Sequence, residues 1–146
     1  MFAAVATIGE VRQLAFHEAV LSDEGLAQLA GLRHVETLTF SGSPITDASA
    51  GVLARFSELT WLDADDTQLT DAAVPHLVKL QKLEVLRIQG TQITDRGFAQ
   101  LAALKNLRDL TIGDSAAHPM PVSDRCRDHV QRALPNCRLN GTFRGE

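Results

Sequence analysis

The apolar residues of this chain return every 24 positions. One set is Val11, Val35, Leu59, Leu83 and Leu107, a second is Leu14, Leu38, Leu62, Leu86 and Leu110, and a third is Phe16, Phe40, Ala64, Ile88 and Ile112. Five copies in phase, with no gap between them, are internal repetition rather than chance periodicity. Each copy has two halves with different periods. The first reads L-x-x-L-x-(F/I/A), in which residues after the second leucine alternate between two sides, as a short strand requires. The second carries an (I/L)-(S/T)-D start and an L-x-x-L end, spaced for one face of a short helix. The predicted helix-side apolar sets are Leu21, Leu26, Leu29 and Leu32, then Ile45, Val52, Leu53 and Phe56, then Leu69, Val74, Leu77 and Leu80, then Ile93, Phe98, Leu101 and Leu104. A strand and a helix of this size cannot form a core alone. Stacked side by side they can, so the pattern predicts an α/β solenoid with five parallel strands on one face and short helices on the other.

The polar positions are as regular. Ser22-Asp23, Thr46-Asp47, Thr70-Asp71, Thr94-Asp95 and Ser123-Asp124 each precede a predicted helix. A Ser or Thr hydroxyl accepts from free amides there, and an adjacent Asp favours the positive end of the helix dipole. A metal ladder of five aspartates is therefore unnecessary, and no metal or cofactor is expected. Pro75 is expected to remove a backbone bond near the start of the third helix.

The period breaks once. Val122 follows Ile93 by 29 residues, which puts five extra residues within the segment 115–121, SAAHPMP, between strand and helix. Two prolines in that segment predict a protruding loop, either a tolerated surface insertion or a partner-contacting element. The last helix then covers 124–134, Cys137-Arg138-Leu139-Asn140 reads like the start of a sixth strand, and Cys126, Val130, Leu134, Cys137 and Leu139 form the buried side of a terminal cap. At the other end Phe2, Val5 and Ile8 lie 24 residues before Leu26, Leu29 and Leu32, as a capping helix or the back half of a further repeat would. The expected organisation is one domain: 1–10 as a cap or partial repeat, 11–114 as regular repeats, and 115–146 as an irregular last repeat with its cap.

On these residues the chain resembles the leucine-rich repeat family, and its T-x-(I/L)-T-D form is similar to the bacterial subclass related to ribonuclease-inhibitor-like repeats. The resemblance is close over 11–113 and loose beyond. It implies strands on a concave face and helices on a convex one. In the family an Asn three residues after the third apolar position bonds neighbouring backbone in a buried ladder; here that position holds Ala19, Ser43, Thr67, Thr91 and Ser115. Hydroxyls at those positions are expected to turn inward and bond backbone near the adjacent repeat, with fewer bonds than an amide makes.

Composition adds limits rather than a function. At 45% hydrophobic and 22% charged the chain is ordinary for a globular domain. A net charge of −4 without a clustered basic face argues against nucleic acid and against an anionic membrane surface. The start lacks a basic, sustained apolar leader, so a cytoplasmic monomer is expected. Cys126 and Cys137 have neither metal spacing nor a disulfide framework, and read as free buried thiols. No nucleophile elbow, phosphate loop, dinucleotide fingerprint or zinc pair is present. His17, His34, His76, His118 and His129 are scattered, and Cys126 with His129, one helical turn apart, lacks a third orienting group, so no enzyme is expected.

What remains is the strand face. Residues flanking the inward positions should share one surface, and the third repeat is its outlier. Trp61, the chain's sole tryptophan, stands where the core does not want it, with Asp63, Asp65 and Asp66 beside it; Thr39 lies on one neighbouring strand and Arg87 and Gln89 on the other. Asp63 and Arg87 occupy equivalent positions and should pair across strands. These seven residues form the candidate partner-binding face, suited to a protein of some basic character, against the plain alternative of a Trp lying flat over its neighbours and merely solvated acids. Five strands of about five residues give a face on the order of 400 Å², whereas a standard interface uses about 800 Å² per partner. The functional expectation is a protein-interaction scaffold, with two alternatives: an inhibitor or recognition subunit covering another protein's active site, or part of a longer repeat array.

Overall fold

The computed structural model describes residues 11–16 and 20–141. The expected cap within 1–10, and the positions His17 and Ala19, lie outside the described residues. Six short strands, β1 Gln13–Ala15, β2 Thr37–Thr39, β3 Trp61–Asp63, β4 Val85–Arg87, β5 Asp109–Thr111 and β6 Arg138–Asn140, form one sheet in sequence order. Every neighbouring pair is parallel, and Leu14, Leu38, Leu62, Leu86, Leu110 and Leu139 pair in register. The repeat period thus becomes the sheet register directly. Leu38, Leu62, Leu86 and Leu110 are fully buried, while Leu14 and Leu139, on the outermost described strands, are only partly covered.

Helices α1 Asp23–Gln28, α2 Ala50–Leu53, α3 Val74–Leu77, α4 Asp95–Gln100 and α5 Asp124–Ala133 cover the other side of the core. Two differences from the sequence reading have local causes. Val52 is only partly buried; the position in phase with Leu26, Val74 and Phe98 is Ala50, which is 1% exposed. Pro75 costs no bond, because it lies in the first turn of α3 where an N–H would have no partner.

The Ser/Thr-Asp pairs divide their work. The hydroxyls of Ser22, Thr94 and Ser123 accept from Gly25, Arg96 and Cys126 amides as helix caps. The aspartates instead reach into the following repeat. Asp23 accepts from the Thr46 amide (3.0 Å) and hydroxyl (2.6 Å) and from the Ser49 hydroxyl. Asp47 accepts from the Thr70 amide (2.9 Å) and hydroxyl (2.6 Å). Asp71 accepts from the Thr94 amide (2.8 Å) and hydroxyl (2.6 Å) and the Gly97 amide (3.1 Å), and Asp95 from the Ser123 amide (2.7 Å) and hydroxyl (2.6 Å). This carboxylate ladder ties each repeat to the next along the helical flank. Burial works against the charge on Asp23, but its bonds to Ser49 and Thr46 outweigh that and hold the carboxyl below its ordinary range.

The inner hydroxyls behave differently from expectation. Thr67 and Thr91 are buried and donate to carbonyls of their own repeat, Ala64 (2.8 Å) and Ile88 (2.8 Å), three residues back. Ser43 does reach across, accepting from the Leu21 amide at 3.2 Å.

Candidate functional site

β3 and β4 set the centre of the open sheet face. Trp61 pairs with Thr37 and Val85 in register and is 41% exposed, as its sequence position predicts. Thr39 and Asp63 pair on the next position outward, with Arg87 opposite Asp63. The expected cross-strand ion pair of Arg87 with Asp63 is present, but the hydrogen bonds of Arg87 go to Asp65. Its Nε and Nη2 donate to Asp65 Oδ2 at 3.0 and 2.7 Å, while the nearest Asp63 oxygen is 3.7 Å away.

Asp65 is therefore not an open-face acid. The strand ends at Asp63, the chain turns, and Asp65 is 5% exposed, where it also accepts from the Gln89 amide at 2.7 Å. Burial pushes its carboxyl above the ordinary value, with the Arg87 and Gln89 bonds pulling the other way. The same bond strengthens Arg87's hold on its proton. Asp63 has a side chain only 15% exposed, and its Oδ1 accepts from the Asp65 amide. The acidic cluster read from sequence is thus largely internal, and what faces outward is an indole beside a guanidinium.

Asp66 stands apart from both. Its φ of 54° is left-handed, at the position where the flanking repeats carry Gly42 (φ 73°) and Gly90 (φ 66°). Aspartate is among the few residues that tolerate this region. One carboxylate oxygen, Oδ1, is buried without a hydrogen-bond partner among the described residues; His118 Nδ1 is 3.6 Å from it. Gly90 must be glycine here, since a Cβ would overlap Asp66 Oδ1 and approach Ser115 Cβ at 2.8 Å.

His118 is brought there by the inserted segment, whose residues 116–119 are exposed, as a protruding loop requires, while Met120 anchors it. Met120 is buried, its amide donates to Asp114 Oδ1 (2.8 Å) and its sulfur accepts from the Gly113 amide (3.2 Å). Ser115 closes the turn by accepting from the Ala117 and His118 amides, and Gln89 Nε2 donates to the Asp114 carbonyl at 2.5 Å. Between this loop and the turns of the second to fourth repeats lies a cleft of about 580 Å³, lined in part by Pro44, Asp66, Gln68, Gly90, Gln92 and His118. Sequence reasoning missed it. The signal was Asp66 at a glycine position, with an insertion two strands beyond.

Elsewhere the chemistry is quiet. Cys126 and Cys137 are both free. The Cys126 thiol lies 3.4 Å from the Asp95 carbonyl, and burial, with Asp95 nearby, pushes its pKa up, the opposite of an activated nucleophile. Burial also pushes Cys137 up to about 11. Among the described residues no three His, Cys, Asp or Glu side chains converge as metal ligands, and no helix is long and apolar enough to cross a membrane.

No family model matches the chain, and no curated protein matches it. Solved structures do. Internalin C2 from Listeria monocytogenes is 25% identical with a TM-score of 0.77, over 97% of this chain and 56% of that one. A leucine-rich repeat protein of Leptospira interrogans is 20% identical with a TM-score of 0.69, over 94% and 33%, and a second Listeria monocytogenes internalin is 17% identical with a TM-score of 0.56, over 100% and 52%. The chain spans between a third and just over half the length of these neighbours. Their likeness, with the parallel sheet and short helices, makes the fold a leucine-rich repeat solenoid.

Proposed function

With a leucine-rich repeat solenoid as premise, we propose that this chain is a non-enzymatic scaffold that docks a protein partner on the open sheet face, anchored at Trp61. The observation that carries this is the exposure of the indole, 41%, on a strand position whose register neighbours are Thr37 and Val85. Folding gives little reason to place an indole there, whereas a rigid aromatic supplies contact area at low entropic cost once water is excluded. Arg87, fixed by Asp65, stands two residues along the next strand as a positioned polar contact. Thr39 and Gln89 belong to the surrounding rim.

A sixth strand raises the area of the face to on the order of 500 Å², still below the roughly 800 Å² of a standard interface. Loop edges, or repeats beyond this chain, must contribute if binding is tight. The two free thiols fit a reducing, cytoplasmic setting, and we take the working unit to be a monomer. The test is affinity capture with the intact chain, followed by calorimetry on the recovered partner. Trp61→Ala should weaken binding by about 2 kcal/mol or more while leaving the melting temperature nearly unchanged. A variant that loses stability but keeps its affinity would make Trp61 a packing residue and move the site elsewhere.

A further inference from the structure

We propose that the cleft between the turns of the second to fourth repeats and the 115–121 loop is a socket for an arginine side chain of the protein partner. This rests on the protein-binding reading above and names a chemical feature of that partner. Three observations carry it. The first is shape: about 580 Å³ lies within the range of formed ligand sites and exceeds one side chain, so flanking peptide fits too. The second is charge. The lining includes one carboxylate, Asp66, and no lysine or arginine, with His118 as its other titratable side chain.

The third is the state of that anion. Asp63 accepts from the Asp65 amide, Asp65 from Arg87 and Gln89, and Asp114 from Met120. Asp66 Oδ1 accepts no hydrogen bond from any described residue. A buried carboxylate oxygen without a donor is unfavourable, and a bound cation offsets it. Gly90, Ser115 and His118 close over Oδ1, so the 33% exposure of this side chain belongs to its other atoms, and an incoming cation meets the carboxylate from that side. His118 Nδ1 lies 3.6 Å from Oδ1, beyond hydrogen-bond reach, on the covered side of the carboxylate. A guanidinium, with its planar fork of donors, can meet the open side of the Asp66 carboxylate together with an amide oxygen of the Gln68 and Gln92 lining, where an ammonium presents a point charge.

The site also extends the sheet face. Asp66 lies in the turn that closes β3, the strand that begins at Trp61, so five residues of chain keep it within roughly 16 Å of the indole position. One partner can therefore lay an apolar group over the indole and reach the cleft with an arginine.

The test needs no partner. The ¹⁵N-labelled intact chain is titrated with Nα-acetyl-arginine amide and, separately, with its neutral isostere Nα-acetyl-citrulline amide and with Nα-acetyl-lysine amide. The arginine probe should give saturable shifts at Gly42, Gly90, Thr91, Gln92 and His118, the lysine probe weaker ones, and citrulline none. Asp66→Asn should weaken arginine binding by about tenfold or more, the loss expected for one charge-assisted contact. Asp66→Gly, which copies the flanking turns, should do the same and guards against misfolding of the first variant. Equal response to citrulline, equal response to lysine, shifts spread over the surface, or arginine binding retained in both variants would overturn the socket. Trp61→Ala should leave this titration unchanged. Arginine binding here with a Trp61-independent partner would refute the sheet-face reading alone, and the converse result would refute the socket alone.

Discussion

The carboxylate ladder can be tested at its third rung, where a glycine makes an unusually specific probe. Asp71 accepts from the Thr94 amide and hydroxyl and from the Gly97 amide. Hydrogen bonds to a charged group contribute about 1.5–3 kcal/mol when buried. Asp71 is half-exposed and its stranded donors would regain water, so about 1 kcal/mol each is appropriate, and Asp71→Ala should cost about 2–3 kcal/mol in total. Gly97→Ala in an ordinary helix would stabilise by about 1 kcal/mol. Here the new Cβ would lie 3.0 Å from Asp71 Cγ and 3.1 Å from Ile93 Cγ2, so the carboxylate must turn away and release the Gly97 amide. The second rung already shows that arrangement: Ala73, in the third repeat, stands at the equivalent position, and its amide donates to the Thr70 carbonyl instead. Gly97→Ala should therefore destabilise the wild type by about 1 kcal/mol, yet be neutral or stabilising when Asp71 is Ala, a coupling of about 1 kcal/mol or more. Urea unfolding of the four proteins, followed by circular dichroism and Trp61 fluorescence, measures it. Additivity within about 0.5 kcal/mol would mean that the carboxylate does not bridge the repeats.

Three further outcomes are expected. Thr91→Val should cost about 1 kcal/mol, because it leaves the Ile88 carbonyl without the buried hydroxyl that donates to it; a neutral result in the same urea assay would remove the inner hydroxyl from the list of stabilising contacts. Arg87→Ala should cost about 2 kcal/mol or more by stranding the buried Asp65 charge, and should push the Asp65 carboxyl further up, which carbon-detected NMR titration would read; an unshifted Asp65 would show that Arg87 is not its partner. Because the folded pKa of Asp23 is depressed, its contribution is present above the unfolded aspartate value of about 3.9 and is lost as pH falls through the lower folded value. Asp23→Asn should accordingly flatten the acid limb of a stability-against-pH curve, and an unchanged limb would refute the assignment.

Where one residue's role follows from its phase, the sequence was a sufficient guide. The 24-residue period placed Leu38, Leu62, Leu86 and Leu110 side by side in register, and the Trp61 position on an open strand followed from alternation alone. Errors arose where size or local logic displaced phase. Val52 is the larger residue, but Ala50 is the one in step with Leu26 and the one that is buried. The ladder aspartates had a complete local explanation as helix-start residues, which left no residual signal for a partner 23 residues away. Asp65 was assigned outward by extending strand alternation past Asp63, whereas the chain already turns there; glycine at 42 and 90 marked that turn. The cleft depends on where a loop of unrepeated sequence folds, and periodicity carries no information about that.

The ladder also makes the stack mechanically uneven. Its first and third joints are held by three donors, since Ser49 and Gly97 each add one, while the second and fourth, opposite Ala73 and Cys126, are held by two. In a structure where each repeat touches only its neighbours, compliance concentrates at the weaker joints. Pulled or twisted along its axis, the stack yields first between the second and third repeats or between the fourth and fifth. The first of those hinges runs beside Trp61, so bending of the array changes the angle at which the indole is presented to whatever covers it.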